Sequence, residues 1–93
     1  MERAKRSSYD IIYDILVTCK PGVKKTRLMY NANLSFEVLK KYVDVLVEKQ
    51  LILKKDEKFF VTEKGMKFLD ILRTFREKKK ELDEISSKLK ELI

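Results

Sequence analysis

The side chains with chemistry to offer in this sequence are cations. Arg3, Lys5 and Arg6 open it, and Lys24, Lys25 and Arg27 follow the single proline. Lys40 and Lys41 stand together at mid-chain, while Lys54, Lys55 and Lys58 bracket an acidic pair, Asp56-Glu57. Clustered ammonium and guanidinium groups suit one task, the capture of oxyanions by charge and hydrogen bonds. Lys+Arg 22 against Asp+Glu 15 leaves a formal net charge of +7. That balance favours polyanions, meaning nucleic acid or an anionic membrane surface.

Other chemistries are excluded by composition. Histidine is absent and Cys19 is the one cysteine, so Cys/His zinc sites, His-based nucleophilic machinery and an internal disulfide are ruled out. No metal site and no cofactor are expected. Asp56-Glu57 reads as a solvated loop tip rather than an acid–base pair, and catalysis is not expected. The N-terminus MERAKRSSYD does not read as a signal peptide, and no apolar run is long enough to span a membrane. A reducing, cytoplasmic setting follows. Ninety-three residues, 44% of them apolar, support one small domain with a modest core.

Helices must position most of the cations. Ser7 and Asp10 have capping-box spacing, and Ile11, Ile12, Ile15, Leu16 and Cys19 form one apolar face behind them. Pro21-Gly22 ends that helix. KKTRLMYNA is a short helix with Leu28 and Met29 as core contacts, closed by Asn31 in the left-handed conformation. Ser35 caps the next helix, with Leu34 and Leu39 at hydrophobic-staple spacing. Its apolar stripe is Val38, Leu39, Tyr42, Val45 and Leu46. NANLS is therefore a turn between two helices.

Leu51–Lys54 and Phe59–Val61 read as a β-hairpin around a four-residue charged tip, Lys55-Asp56-Glu57-Lys58. Thr62 caps a last helix that nothing interrupts after Gly65. Phe68, Leu72, Phe75, Lys79, Leu82, Ser86, Leu89 and Ile93 recur in it by fours and threes, and Ile71, Ile85 and Leu92 widen the stripe. About 30 residues at 1.5 Å each reach roughly 45 Å, too far to be covered by one small domain. The spacing predicts a homodimeric coiled coil, with Lys79 and Ser86 as polar register-setting positions.

Helix, helix, turn, helix, hairpin, helix is the order of a winged helix-turn-helix. In that fold the second helix of the turn enters the DNA major groove and the hairpin lies beside it as a wing. The expected division is a basic arm over 1–6, the winged domain over 7–65 and a dimerisation helix over 66–93. TRLMYNANLSFEVLKKYVDVLVEKQLI followed by FFVTEKGMKFLD resembles the archaeal winged-helix DNA-binding proteins of the Sulfolobus 10a type, and the likeness covers nearly the whole chain. The resemblance implies a mostly α homodimer joined by an antiparallel coiled coil. It also implies binding and organisation of double-stranded DNA, as a nucleoid or chromatin protein without catalysis.

Arg3, Lys5, Arg6, Lys24, Lys25, Arg27, Lys54, Lys55 and Lys58 are the expected phosphate contacts. On the third helix Ser35, Phe36, Glu37, Lys40, Lys41 and Asp44 point outward. Residues 35–50 carry Lys40, Lys41 and Lys49 against Glu37, Asp44 and Glu48, with no arginine, so the bidentate Arg–guanine contact is missing. Salt-dependent, weakly selective binding is expected. The aromatic residues mostly fall on apolar stripes, which favours duplex over single-stranded nucleic acid. Two rival readings remain: a site-specific dimeric regulator, and a protein-interaction module for which Phe36 is the hint.

Overall fold

The computed structural model of the chain describes residues 6–93; the expected contacts Arg3 and Lys5 lie outside the described residues. Its elements are α1 (Ser8–Cys19), β1 (Val23–Lys24), α2 (Lys25–Ala32), α3 (Phe36–Glu48), β2 (Ile52–Lys55), β3 (Lys58–Val61) and α4 (Glu63–Leu92). The molecule is mostly helical, with one antiparallel sheet in the order β1-β3-β2.

Each long helix starts on a side-chain cap. Ser7 Oγ accepts from the Asp10 N–H at 3.2 Å while Asp10 accepts from the Ser7 N–H at 3.0 Å, a complete capping box. Ser35 accepts from the Val38 N–H at 3.3 Å, and Thr62 from the Gly65 N–H at 2.9 Å. These bonds satisfy backbone donors that a helix start leaves unpaired. Ile15, Leu16, Cys19, Leu28, Leu39, Leu46, Ile52 and Leu69 fill the core and are excluded from water.

Several details differ from expectation. Asn33, not Asn31, takes the left-handed conformation (φ 54°) that closes α2. Asn31 stays helical because Ala32, one residue on, must remain in the helix to be buried. The Leu34 N–H then reaches back to the Met29 carbonyl at 3.1 Å and the Asn33 N–H to Tyr30, a Schellman closure. α3 ends the same way through Gln50 (φ 63°), with the Leu51 N–H on the Leu46 carbonyl at 2.9 Å.

The hairpin tip is two residues rather than four. Lys55 pairs with Lys58 in the ladder, and only Asp56 and Glu57 turn, both at positive φ as a tight hairpin requires. Strand β1 was not expected, because two residues carry no periodicity of their own; pairing with β3 creates it. Val38 and Val45 belong to the exposed flank of α3 rather than its buried stripe.

Helix α4 turns two different faces outward and inward. Gly65, Leu69 and Leu72 are buried against the chain's own core, with Phe68 packed beside them. Leu72 is thereby corrected: it is covered inside its own domain and is not part of a free stripe. Lys79 lies toward Asp10 and beside Phe75, on the α1 side. The exposed apolar line is Ile71, Phe75, Leu82, Ile85, Leu89 and Leu92, with spacings that are sums of fours and threes. From Glu77 onward every residue of α4 is exposed, and the molecule reaches 56 Å along its longest axis.

Candidate nucleic-acid interface

Helices α2 and α3 meet at the Asn33-Leu34-Ser35 turn, which presents the first turn of α3 to solvent. Ser35, Phe36, Glu37, Lys40, Lys41 and Asp44 are all exposed there, as expected. Lys25, at the start of α2, places its ammonium 4.1 Å from the centre of the Phe36 ring. A cation over an aromatic face is attracted by the ring quadrupole, so Phe36 is partly covered by a charge rather than presented as a bare apolar patch. Lys40 is engaged too, donating to Asp44 at 3.0 Å on the next turn.

A small cleft of about 180 Å³ separates α3 from the wing and is lined by Lys25, Phe36, Lys40, Val43, Asp44 and Phe59. Lys54 joins that side, with its ammonium 5.9 Å from the Phe59 ring. On the opposite flank of α3 Lys41 lies beside Val38, Tyr42 and Val45, whereas Lys25, Lys40 and Lys54 converge on the side facing the wing. Lys24, Arg27, Lys55 and Lys58 do not. The sheet register places Lys24, Lys58 and Lys55 on one rung and one face, opposite to the face carrying Val23, Phe59 and Lys54.

Arg6 departs from expectation. Its guanidinium pairs with Asp14 at 2.9 Å and donates to the Asn33 carbonyl at 3.0 Å. It ties the start of the chain to the helix-turn-helix corner and is a positioning residue, not a free phosphate contact. Tyr30 is 84% exposed on α2, and only its place on the outer side of the helix reveals that.

A second cluster fixes where α4 leaves the domain. Arg76 lies 4.1 Å over the Tyr13 ring and 3.9 Å from Asp10, and Tyr9 meets Phe75 edge-on at 5.2 Å. Hydrogen bonds from Ser7 hold the Asp10 carboxyl below its ordinary range, outweighing partial burial, with help from Arg76 and Lys79. Burial alone pushes the Cys19 thiol up to about 12, so this cysteine is an inert part of the core. Among the described residues no group of acidic or sulfur ligands is placed to hold a metal ion, and no helix is long and apolar enough to cross a membrane.

A three-helix head with a helix-turn-helix corner and a short basic hairpin is the architecture of a winged helix-turn-helix. The family model of that description matches residues 5–80, and the chain belongs to the family. Within it, the fold is similar to that of Sso10a-2, a DNA-binding protein from Sulfolobus solfataricus. The TM-score is 0.86 at 29% identity, over 95% of this chain and 97% of the other. The protein MJ0287 of Methanocaldococcus jannaschii is 44% identical over 71 residues, which are 75% of this chain and 73% of the relative. MJ0290 of the same organism is 36% identical over 67 residues, 71% of this chain but 32% of that longer relative.

Proposed function

We propose that this protein binds double-stranded DNA through α3 and the wing, without catalysis, and organises it with little regard for sequence. The observation that carries the reading is the cluster of Lys25, Lys40 and Lys54 on the wing side of an exposed α3, in a segment 35–50 whose own charges balance. The likeness to Sso10a-2, named a DNA-binding protein, supports it. Phosphates attract those lysines without regard to base, whereas Glu37 and Asp44 offer little for reading guanine. The protein then acts as an architectural, nucleoid-associated component of the cytoplasm.

The same reading makes the protein a homodimer. Ile71, Phe75, Leu82, Ile85, Leu89, Leu92 and Ile93 leave an apolar line exposed on one helix, which a second copy of α4 would cover as a coiled coil. Antiparallel pairing would place one head at each end, with Ser86 just off the apolar line. A sedimentation mass equal to twice the chain tests this, and a monomer at micromolar concentration overturns it.

Affinity for two unrelated duplexes, measured across a salt series, tests the DNA reading. Contact with about four phosphates per head predicts a loss of roughly a hundredfold between 50 and 200 mM salt. A flat response, or a preference above about a hundredfold for one sequence, overturns it; the latter outcome means a site-specific regulator. Val38, Val45, Tyr42 and Ile12 line an open apolar groove on the far flank of α3, which favours a protein-interaction module as the second reading. Failure to shift any duplex in a gel at low salt selects that one.

A further inference from the structure

We propose that the wing has a second phosphate-binding face, on the side turned away from α3, and that it holds a second segment of duplex DNA. The proposal rests on the DNA reading above and divides its cations into two sets. Lys24 lies directly opposite Lys58, and Lys58 directly opposite Lys55. Directly opposed residues in an antiparallel sheet share a face, so the three lysines form one row across all three strands. Strands lie about 4.8 Å apart, which packs the row into roughly 10 Å.

Arg27 and Asn31 join the row from α2. With Lys24, Lys58 and the Pro21-Gly22 corner they line an open groove of about 570 Å³ beside the end of α1. Gly22 makes the approach possible: at φ +88° it has no side chain, and a Cβ there would fall 2.2 Å from the Phe60 ring. The corner thus lies flat on β3 and brings Lys24 alongside Lys58. Among the described residues, the ion pairs involve none of Lys24, Arg27, Lys55 or Lys58.

Like charges opposed across a sheet destabilise it, and here two such pairs adjoin. A bound anion removes that repulsion, and cations set along a straight rung match charges repeated along a backbone. The front set of Lys25, Lys40 and Lys54 lies on the other side of the sheet, so one duplex seated on α3 leaves the rear row open. Bound DNA, rather than an acidic protein, is the occupant because the rear face offers flexible lysines and no enclosed apolar pocket to define a protein partner.

Titration of the full-length, isotope-labelled protein with a duplex about one helical turn long, followed by NMR, tests this. Signals of Lys25, Lys40 and Lys54 are expected to saturate at one duplex per head, and those of Lys24, Arg27, Lys55 and Lys58 to keep moving beyond it. The K24Q/K55Q/K58Q variant is expected to lose only the second phase, with a melting temperature no lower than that of the parent. Both sets saturating together at one equivalent overturns the proposal, as does a rear set that never moves or a second phase that survives the variant. Rear signals that respond to polyglutamate but not to duplex assign the face to acidic protein instead. If no signal in either set moves, the DNA reading itself fails, which is a different outcome.

Discussion

Replacing Gly65 by alanine sets two effects of opposite sign against each other at the root of the wing. Alanine is the better helix former, worth up to about 1 kcal/mol over glycine in a helix interior. At this position, however, the added Cβ would stand 2.1 Å from the Leu51 carbonyl oxygen and 2.7 Å from Val61 Cγ1. The obstacle is backbone, so relief requires α4 to move away from the end of β2. Leu51 O also accepts from the Thr62 N–H at 3.0 Å and the Thr62 hydroxyl at 3.1 Å, and movement stretches both bonds. Overpacking costs about 1–3 kcal/mol, and two weakened hydrogen bonds add about 1 kcal/mol each. Packing wins: Gly65→Ala is expected to destabilise by about 2–4 kcal/mol net of the helix gain. At roughly 4–8 °C per kcal/mol for a domain of this size, the melting temperature falls by on the order of 15 °C. Thermal unfolding followed by circular dichroism, at fixed protein concentration, gives the result. Thr74→Ala, at an exposed site of the same helix, is the control and should gain a few tenths of a kcal/mol. A Gly65→Ala variant that melts higher than the parent, as the control does, refutes the packing argument.

Asp10→Asn keeps an acceptor for the Ser7 N–H but loses the carboxylate charge that strengthens this bond and faces Arg76, and should cost on the order of 1 kcal/mol at pH 7. Because the folded carboxyl titrates below its ordinary value, its contribution is present above about pH 4 and fades as pH falls through the folded value; denaturant melts of the two proteins should converge in acid. Cys19 is fully buried and its thiol is raised to about 12. A thiol reagent at pH 8 should therefore label it at the rate of unfolding, and labelling of the folded protein as fast as a free thiol contradicts that. Gln50→Gly removes a side chain from a left-handed position (φ 63°) and should raise stability by about 1 kcal/mol in denaturant melts.

Short-range features were legible in the sequence because their causes are short-range. Ser7, Ser35 and Thr62 cap the helices they precede, the staples follow from fixed offsets, and the hairpin shows in its composition. What escaped depends on contacts between distant residues. Asn31 and Asn33 are equally suited to a left-handed turn, and only the burial of Ala32 selects the later one. Ile71 and Leu72 are adjacent and alike, yet Leu72 is 4% exposed and Ile71 67%, because the docking angle of α4 decides which one meets the core. Asp56-Glu57 hides a tight turn that Asn-Gly would have advertised. For the site, the basic clusters were visible but their faces were not. Lys24 and Lys25 are consecutive, yet one lies on the rear rung of the sheet and the other over Phe36.

This separation bears on specificity. Helix α3 brings Lys40 and Lys41 toward a groove together with Glu37 and Asp44, and Lys40 is already paired with Asp44 at 3.0 Å. On the proposed reading, much of the attraction to DNA then comes from residues off the helix, Lys25 at its flank and Lys54 on the wing. Cations on a hairpin reach phosphates, which are the same at every step of the duplex, so shifting the protein along DNA leaves most of the attraction intact. The carboxylates on α3 act in the opposite sense, since each is repelled by the phosphates lining the groove and discourages deep insertion. On the proposed reading, a helix kept shallow by its own acids and anchored by charges beside it would suit broad occupancy of DNA rather than the choice of one site.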